Sequence, residues 1–110
     1  MANNFKNYFA GSVGTSSVDV YTVPASTSAT VIGMSVSNLI TTPISANVMV
    51  FNSTAANTLF MVKNATIAPG GALIPVGGDQ KLVLEAGDRL QVQMGTATSA
   101  DVIVSVLEVS

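Results

Sequence analysis

Few side chains in this 110-residue chain could do chemistry, and half of its six carboxylates fall in one stretch, GGDQKLVLEAGDRLQVQM (77–94). Asp79, Glu85 and Asp88 stand there beside Lys81 and Arg89, two of the four cations. Carboxylates so grouped could serve as an acid/base pair on a glycosidic bond, as oxygen ligands for calcium, or as turn residues. For glycoside hydrolysis the available set is Asp79, Glu85, Asp88 and Asp101, but such enzymes need a larger cleft than a domain of this length offers. For calcium, the spacing matches no loop of the alternating-ligand type. The turn reading is better supported. Gly78-Asp79 and Gly87-Asp88 are turn dipeptides, in which Gly takes unusual φ values and Asp accepts local backbone hydrogen bonds. Lys81 and Arg89 are then expected to balance the neighbouring carboxylates.

The other routes to chemistry are closed by composition. There is no His, the usual base of a nucleophilic triad, and none of Lys6, Lys63 and Lys81 sits in a Ser-Lys nucleophile motif. With no Cys either, zinc sites and disulfides lose their ligands and partners. GGALIPVGG is glycine-rich but precedes no helix, so the basis of a phosphate cradle is missing. With no Trp, only Tyr8, Tyr21 and four Phe remain as platforms for sugar rings. No catalytic, cofactor-binding or metal-ligating residue is assigned, and the expectation is a protein that is not an enzyme and needs no cofactor.

Charge bounds the partners. Charged residues make up 9% of the chain, against roughly 25% in ordinary soluble proteins. A surface so poor in charge suits permanent contact with other subunits; the alternative is a monomer with a Ser/Thr-rich skin. The net charge of -2 and the scattering of Lys6, Lys63, Lys81 and Arg89 argue against nucleic acid. MANNFKNYFAGSVG lacks the apolar core of a signal peptide, and no later run reaches the length of a membrane-spanning helix, so no membrane partner is expected. Asn52-Ser53-Thr54 and Asn64-Ala65-Thr66 are read as chance glycosylation triplets.

The elements that must position these residues are strands. No stretch of a dozen residues sustains a 3.6-residue apolar period, whereas alternation and β-branched residues recur throughout. SVDVYTV (17–23) puts Val18 and Val20 on one face, Asp19 and Tyr21 on the other. Residues 29–38 alternate Ile32, Met34 and Val36 against Gly33, Ser35 and Ser37, with Gly33 marking a bulge or a close approach. ISANVMVFN (44–52) ends apolar on both faces, so its end should be covered. NSTAAN (52–57) is a loop tip, 58–68 a strand, and PGG (69–71) a turn. ALIPV (72–76) is an edge strand because of Pro75. KLVLE, RLQVQM and DVIVSVLEV follow. The last is apolar on both faces, as in the middle of a sheet or at a subunit interface. TSATVI (27–32) and TSADVI (98–103) echo one another, which points to similar local geometry in paired strands. The expected fold is all-β, an antiparallel β-sandwich of jelly-roll type with about eight strands. Residues 1–16 are read as an extended N-terminal segment and 17–110 as the sandwich domain.

Four blocks carry a resemblance: VYTVPASTSATVIGMSVSN (20–38), VKNATIAPGGAL (62–73), VGGDQKLVLEAGDRLQV (76–92) and SADVIVSVLEVS (99–110). Together they resemble small virion structural proteins of tailed bacteriophages. PGGAL and GGDQKLVLEAGDRLQV are the more specific parts. The resemblance implies a β-sandwich in the virion, assembled from subunits made in the host cytoplasm. It implies a capsid decoration or cement protein, or alternatively a neck, collar or tail component, and transfers no catalytic residue. The major capsid protein or other virion proteins would be its partners, and a host-surface carbohydrate-binding module is the more distant alternative. Cyclic symmetry makes a homotrimer the favoured homo-oligomer. The first 15 or so residues lie outside the resemblance; there Phe5, Tyr8 and Phe9 either clamp a neighbour or cover an end of their own core.

Overall fold

A computed structural model describes residues 2–110. The alternating stretches form nine strands in two antiparallel sheets: β1 (Asn3–Val13), β2 (Val18–Thr22), β3 (Ser28–Asn38), β4 (Ile44–Asn52), β5 (Asn57–Ile67), β6 (Ala72–Val76), β7 (Leu82–Leu84), β8 (Arg89–Met94) and β9 (Ala100–Val109). One sheet runs β1-β9-β3-β6, with β7 also on the far edge of β3; the other runs β2-β8-β4-β5. First pairs with last, second with second-last, and the middle strands β4 and β5 form a hairpin. That nested wrapping is a jelly roll. β6 and β7 share one strand position, interrupted after Pro75, so nine segments fill the eight positions of the fold.

The period-2 patterns decide which side chains meet. Val102, Val104 and Val106 of β9, Val31, Met34 and Val36 of β3, and Leu90, Val92 and Met94 of β8 all point between the sheets and are buried. Strand β9 lies centrally between β1 and β3, as its two apolar faces predicted. Its echo partner β3 is its antiparallel neighbour, Val36 opposite Val102. Gly33 sits at a register shift, and a Cβ there would meet nothing within 4 Å, so it marks a bulge rather than a close approach. The covered end of β4 is explained by Phe51, whose ring lies 4.1 Å from the Arg89 guanidinium carbon. Buried Asn38 ties off the β3–β4 link: its amide donates to the Thr42 and Ile67 carbonyls, and its oxygen accepts from the Ile40 N–H.

Strand pairing fixes three local points, the first of them a correction. Tyr21 is buried instead of facing out with Asp19, because the register slips between Asp19 and Tyr21 and the bulge turns the next side chain inward. The turn after KLVLE does not close a hairpin: β7 and β8 belong to different sheets, so residues 85–88 carry the chain across the sandwich. The boundary at residue 16 does not set a segment apart from the sandwich, since β1 pairs with β9 from Asn3↔Val109 to Ala10↔Val102 and again at Val13↔Ala100.

Candidate functional site

Edge strand β1 is the segment in which the most chemistry collects. Up to the bulge after Ala10, its even-numbered side chains lean toward the interior and its odd-numbered ones face outward, as the burial alternation at Tyr8, Phe9 and Ala10 shows. Beneath it, alternation along β9 places Glu108 on the same face as the three core valines, where it is 4% exposed. A buried carboxylate must be paired and hydrogen-bonded. Here one oxygen accepts from the Tyr21 hydroxyl at 2.6 Å and the Tyr8 hydroxyl at 3.2 Å, and the other from the Lys6 ammonium at 3.0 Å. The tyrosine rings pack with centroids 4.6 Å apart. Three strands from both sheets, β1, β2 and β9, thus meet on one carboxylate.

The electrostatics follow from these contacts. The Tyr21 hydroxyl bond, with help from Lys6 and Tyr8, outweighs burial and holds the Glu108 carboxyl below its ordinary range. Burial, reinforced by the carboxylate, pushes both Tyr8 and Tyr21 up. The bond to Glu108 also raises Lys6. Moved in these directions, none of the groups is poised for proton transfer near neutral pH, and the tyrosines stay protonated donors. The cluster holds β1 in place.

The 77–94 carboxylates part company. Asp88 is buried and serves its turn: one oxygen accepts from the Ser53 N–H at 3.0 Å and hydroxyl at 3.1 Å, the other from the Glu85 N–H at 2.9 Å. Burial opposes its ionisation most, but these bonds together prevail and lower its pKa. Asp79 and Glu85 are exposed. Asp101 lies near the β1 bulge, accepting from the Ser12 N–H at 2.9 Å. Among the described residues no three acidic side chains gather where a metal could be held. The expected charge balance is also redirected: Arg89 pairs with Asp19 at 3.3 Å, and Lys81 donates to the Gly78 carbonyl.

The two outer faces differ. That of the β2-β8-β4-β5 sheet carries the Arg89–Asp19 pair, with Gln91 bonded to Asp19 at 2.7 Å and Gln93 to the Thr15 carbonyl at 2.8 Å. The outer face of the other sheet sets exposed apolar side chains among neutral Asn, Ser and Thr. Phe5 is 75% exposed and Phe9 65%, with Ile103, Ile74 and Val83 also exposed on that side. Within its strands, Asp101 is the one charged residue at an outward position. Shallow grooves of about 370 and 230 Å³ lie beside Phe5 and Phe9 respectively. Phe5 and Phe9 therefore do not cover their own core. Sequence reasoning missed Glu108 and Tyr21. The alternation that assigned Val102, Val104 and Val106 inward already carried Glu108 with them, whereas nothing in VDVYT announces the bulge.

Compared with known proteins, the chain matches no family profile and no curated sequence.

Proposed function

We propose that this protein is a structural component of a tailed-phage virion, a capsid decoration or cement protein that works by adhesion and without catalysis. One observation carries the adhesive part: Phe5, Phe9, Ile103, Ile74 and Val83 stand exposed on one sheet face of the jelly roll, a face almost free of charge. Large apolar side chains gathered in the open on one face mark an interaction site. The Glu108 cluster supports the reading, because it fixes the strand that bears Phe5 and Phe9. Particle location comes from the resemblance, and a neck, collar or tail position shares the same chemistry.

The test is to locate the protein in purified particles by antibody labelling, then compare heat release of DNA from particles with and without it. Labelling over the shell and earlier release without the protein are expected of a decoration protein; labelling confined to the neck or tail selects the alternative. Grooves beside two exposed Phe rings favour a second reading, carbohydrate binding at the host surface. Glycan binding abolished by Phe5→Ala, with no label on particles, would select it.

A further inference from the structure

Strand β1 forms an edge of its sheet. Ala2 and Ser110 exchange both main-chain hydrogen bonds, which makes them a hydrogen-bonded pair of the antiparallel ladder. By alternation Asn4, Lys6, Tyr8 and Ala10 bond to β9, so the N–H and C=O groups of Asn3, Phe5, Asn7 and Phe9 point away from it. Those same four residues, two Asn and two Phe, place their side chains on the outer face.

Natural proteins guard such edges with charge, proline, bulges or shortness. Each other edge of this sandwich is guarded. β6 contains Pro75 and a register shift, β7 has three residues, β2 has five and a bulge, and β5 carries Lys63 beside two register shifts. From Asn3 to Ala10, β1 has no proline and no bulge, and its one charge, the half-exposed Lys6, is tied to Glu108.

We propose that the occupant of this edge is the β1 strand of a second copy of the same chain, antiparallel about a two-fold axis at Asn7. The sequence selects that register. With Asn7 opposite Asn7, each Phe5 faces the second copy's Phe9, giving two aromatic cross-strand pairs on the outer face. Lys6 then lies opposite the second copy's Tyr8. Moving the axis to Lys6 sets two ammonium groups against each other, which is unfavourable, and loses both aromatic pairs. Moving it to Phe5 keeps one aromatic pair and shortens the contact. The favoured register forms about six main-chain hydrogen bonds from Phe5, Asn7 and Phe9 of the two copies. Held on Glu108 from below, Lys6 and Tyr8 keep β1 straight before the copies meet. The contact has two-fold symmetry, so even-numbered assemblies replace the trimer as the expected state. It goes beyond the virion reading, because it concerns the chain in solution and would stand on a protein that decorated nothing.

The native chain has no Cys, which makes site-specific cross-linking clean. In the proposed register the Asn7 Cα atoms of the two copies approach to about 5.5 Å, within the roughly 4.4–6.8 Å span of a disulfide. The Asn3 positions are about 26 Å apart. Under mild oxidation at micromolar protein, Asn7→Cys should give a covalent dimer and Asn3→Cys should not. Sedimentation of the unmodified chain should show a dimer or a multiple of it. Phe9→Asp should raise its dissociation constant at least about tenfold, with the thermal unfolding curve confirming an intact fold. Val83→Asp, on the same outer face but far from this edge, should leave dimerisation unchanged. A monomer at millimolar concentration, a trimer with no Asn7→Cys cross-link, equal cross-linking at Asn3, or disruption by Val83→Asp equal to that by Phe9→Asp would each overturn the proposal.

Discussion

Replacing Glu108 by Gln tests the anchoring of β1 most directly. The amide has nearly the same shape, so packing is preserved and the change is electrostatic. Hydrogen bonds to a charged acceptor contribute about 1.5–3 kcal/mol, against about 0.5–1.5 for neutral ones. Glu108 accepts two from buried or half-buried tyrosines, the shorter at 2.6 Å. Weakening both amounts to about 2–3 kcal/mol; the contact with Lys6, a lysine open to solvent, is left out of the figure. For a chain of this size that corresponds to a fall in Tm of about 10 °C. Urea unfolding at pH 7 measures it, repeated as the pH is lowered toward 2. The difference between wild type and Glu108→Gln should shrink on acidification, since protonated Glu108 resembles Gln. A difference under about 0.5 kcal/mol at pH 7, or one unchanged at low pH, would refute the anchoring role.

Three further outcomes are expected. Asp88→Ala leaves the part-buried hydrogen bonds from the Ser53 and Glu85 N–H groups without their acceptor and should cost about 1–3 kcal/mol, with faster amide exchange at those two residues by NMR. Gly87→Ala puts a Cβ at φ +87° and about 3.0 Å from the Ser53 hydroxyl, a loss of roughly 1–2 kcal/mol measurable by thermal unfolding. Stability should also fall at both ends of the pH scale. Because the folded Glu108 and Asp88 titrate below their ordinary values of 4.5 and 3.8, the unfolded chain binds more protons in acid, and stability present above about pH 5 is lost as pH falls through the depressed values. Because Tyr8 and Tyr21 titrate above 10.0, stability present below that pH is lost above it. Phenolate absorbance should therefore appear together with unfolding in an alkaline titration, and a free titration of both rings near pH 10 would contradict the buried cluster.

Strand content, turn positions and the inward set of Val, Leu and Met were legible in the sequence, because each is a local property. A period of two assigns a side chain to a face wherever the register holds, and Gly-Asp, Pro-Gly-Gly and Asn-Ser-Thr mark where strands cannot continue. Phe5 and Phe9 could be singled out in the same way, though not whether they cover their own core. What the sequence left open depends on partners distant in the chain. Tyr21 turned inward because a bulge slipped the register against β8. Arg89 found Asp19, across a strand pair, rather than the carboxylates beside it in sequence. Glu108 became the buried centre of a cluster only when β1 and β2, from the other end of the chain, were packed against β9. Alternation along one strand is set by backbone geometry that each residue carries with it. Which strand lies alongside, and in what register, is a cooperative outcome of packing the whole sandwich, and that outcome made the strand with two exposed phenylalanines an edge of its sheet.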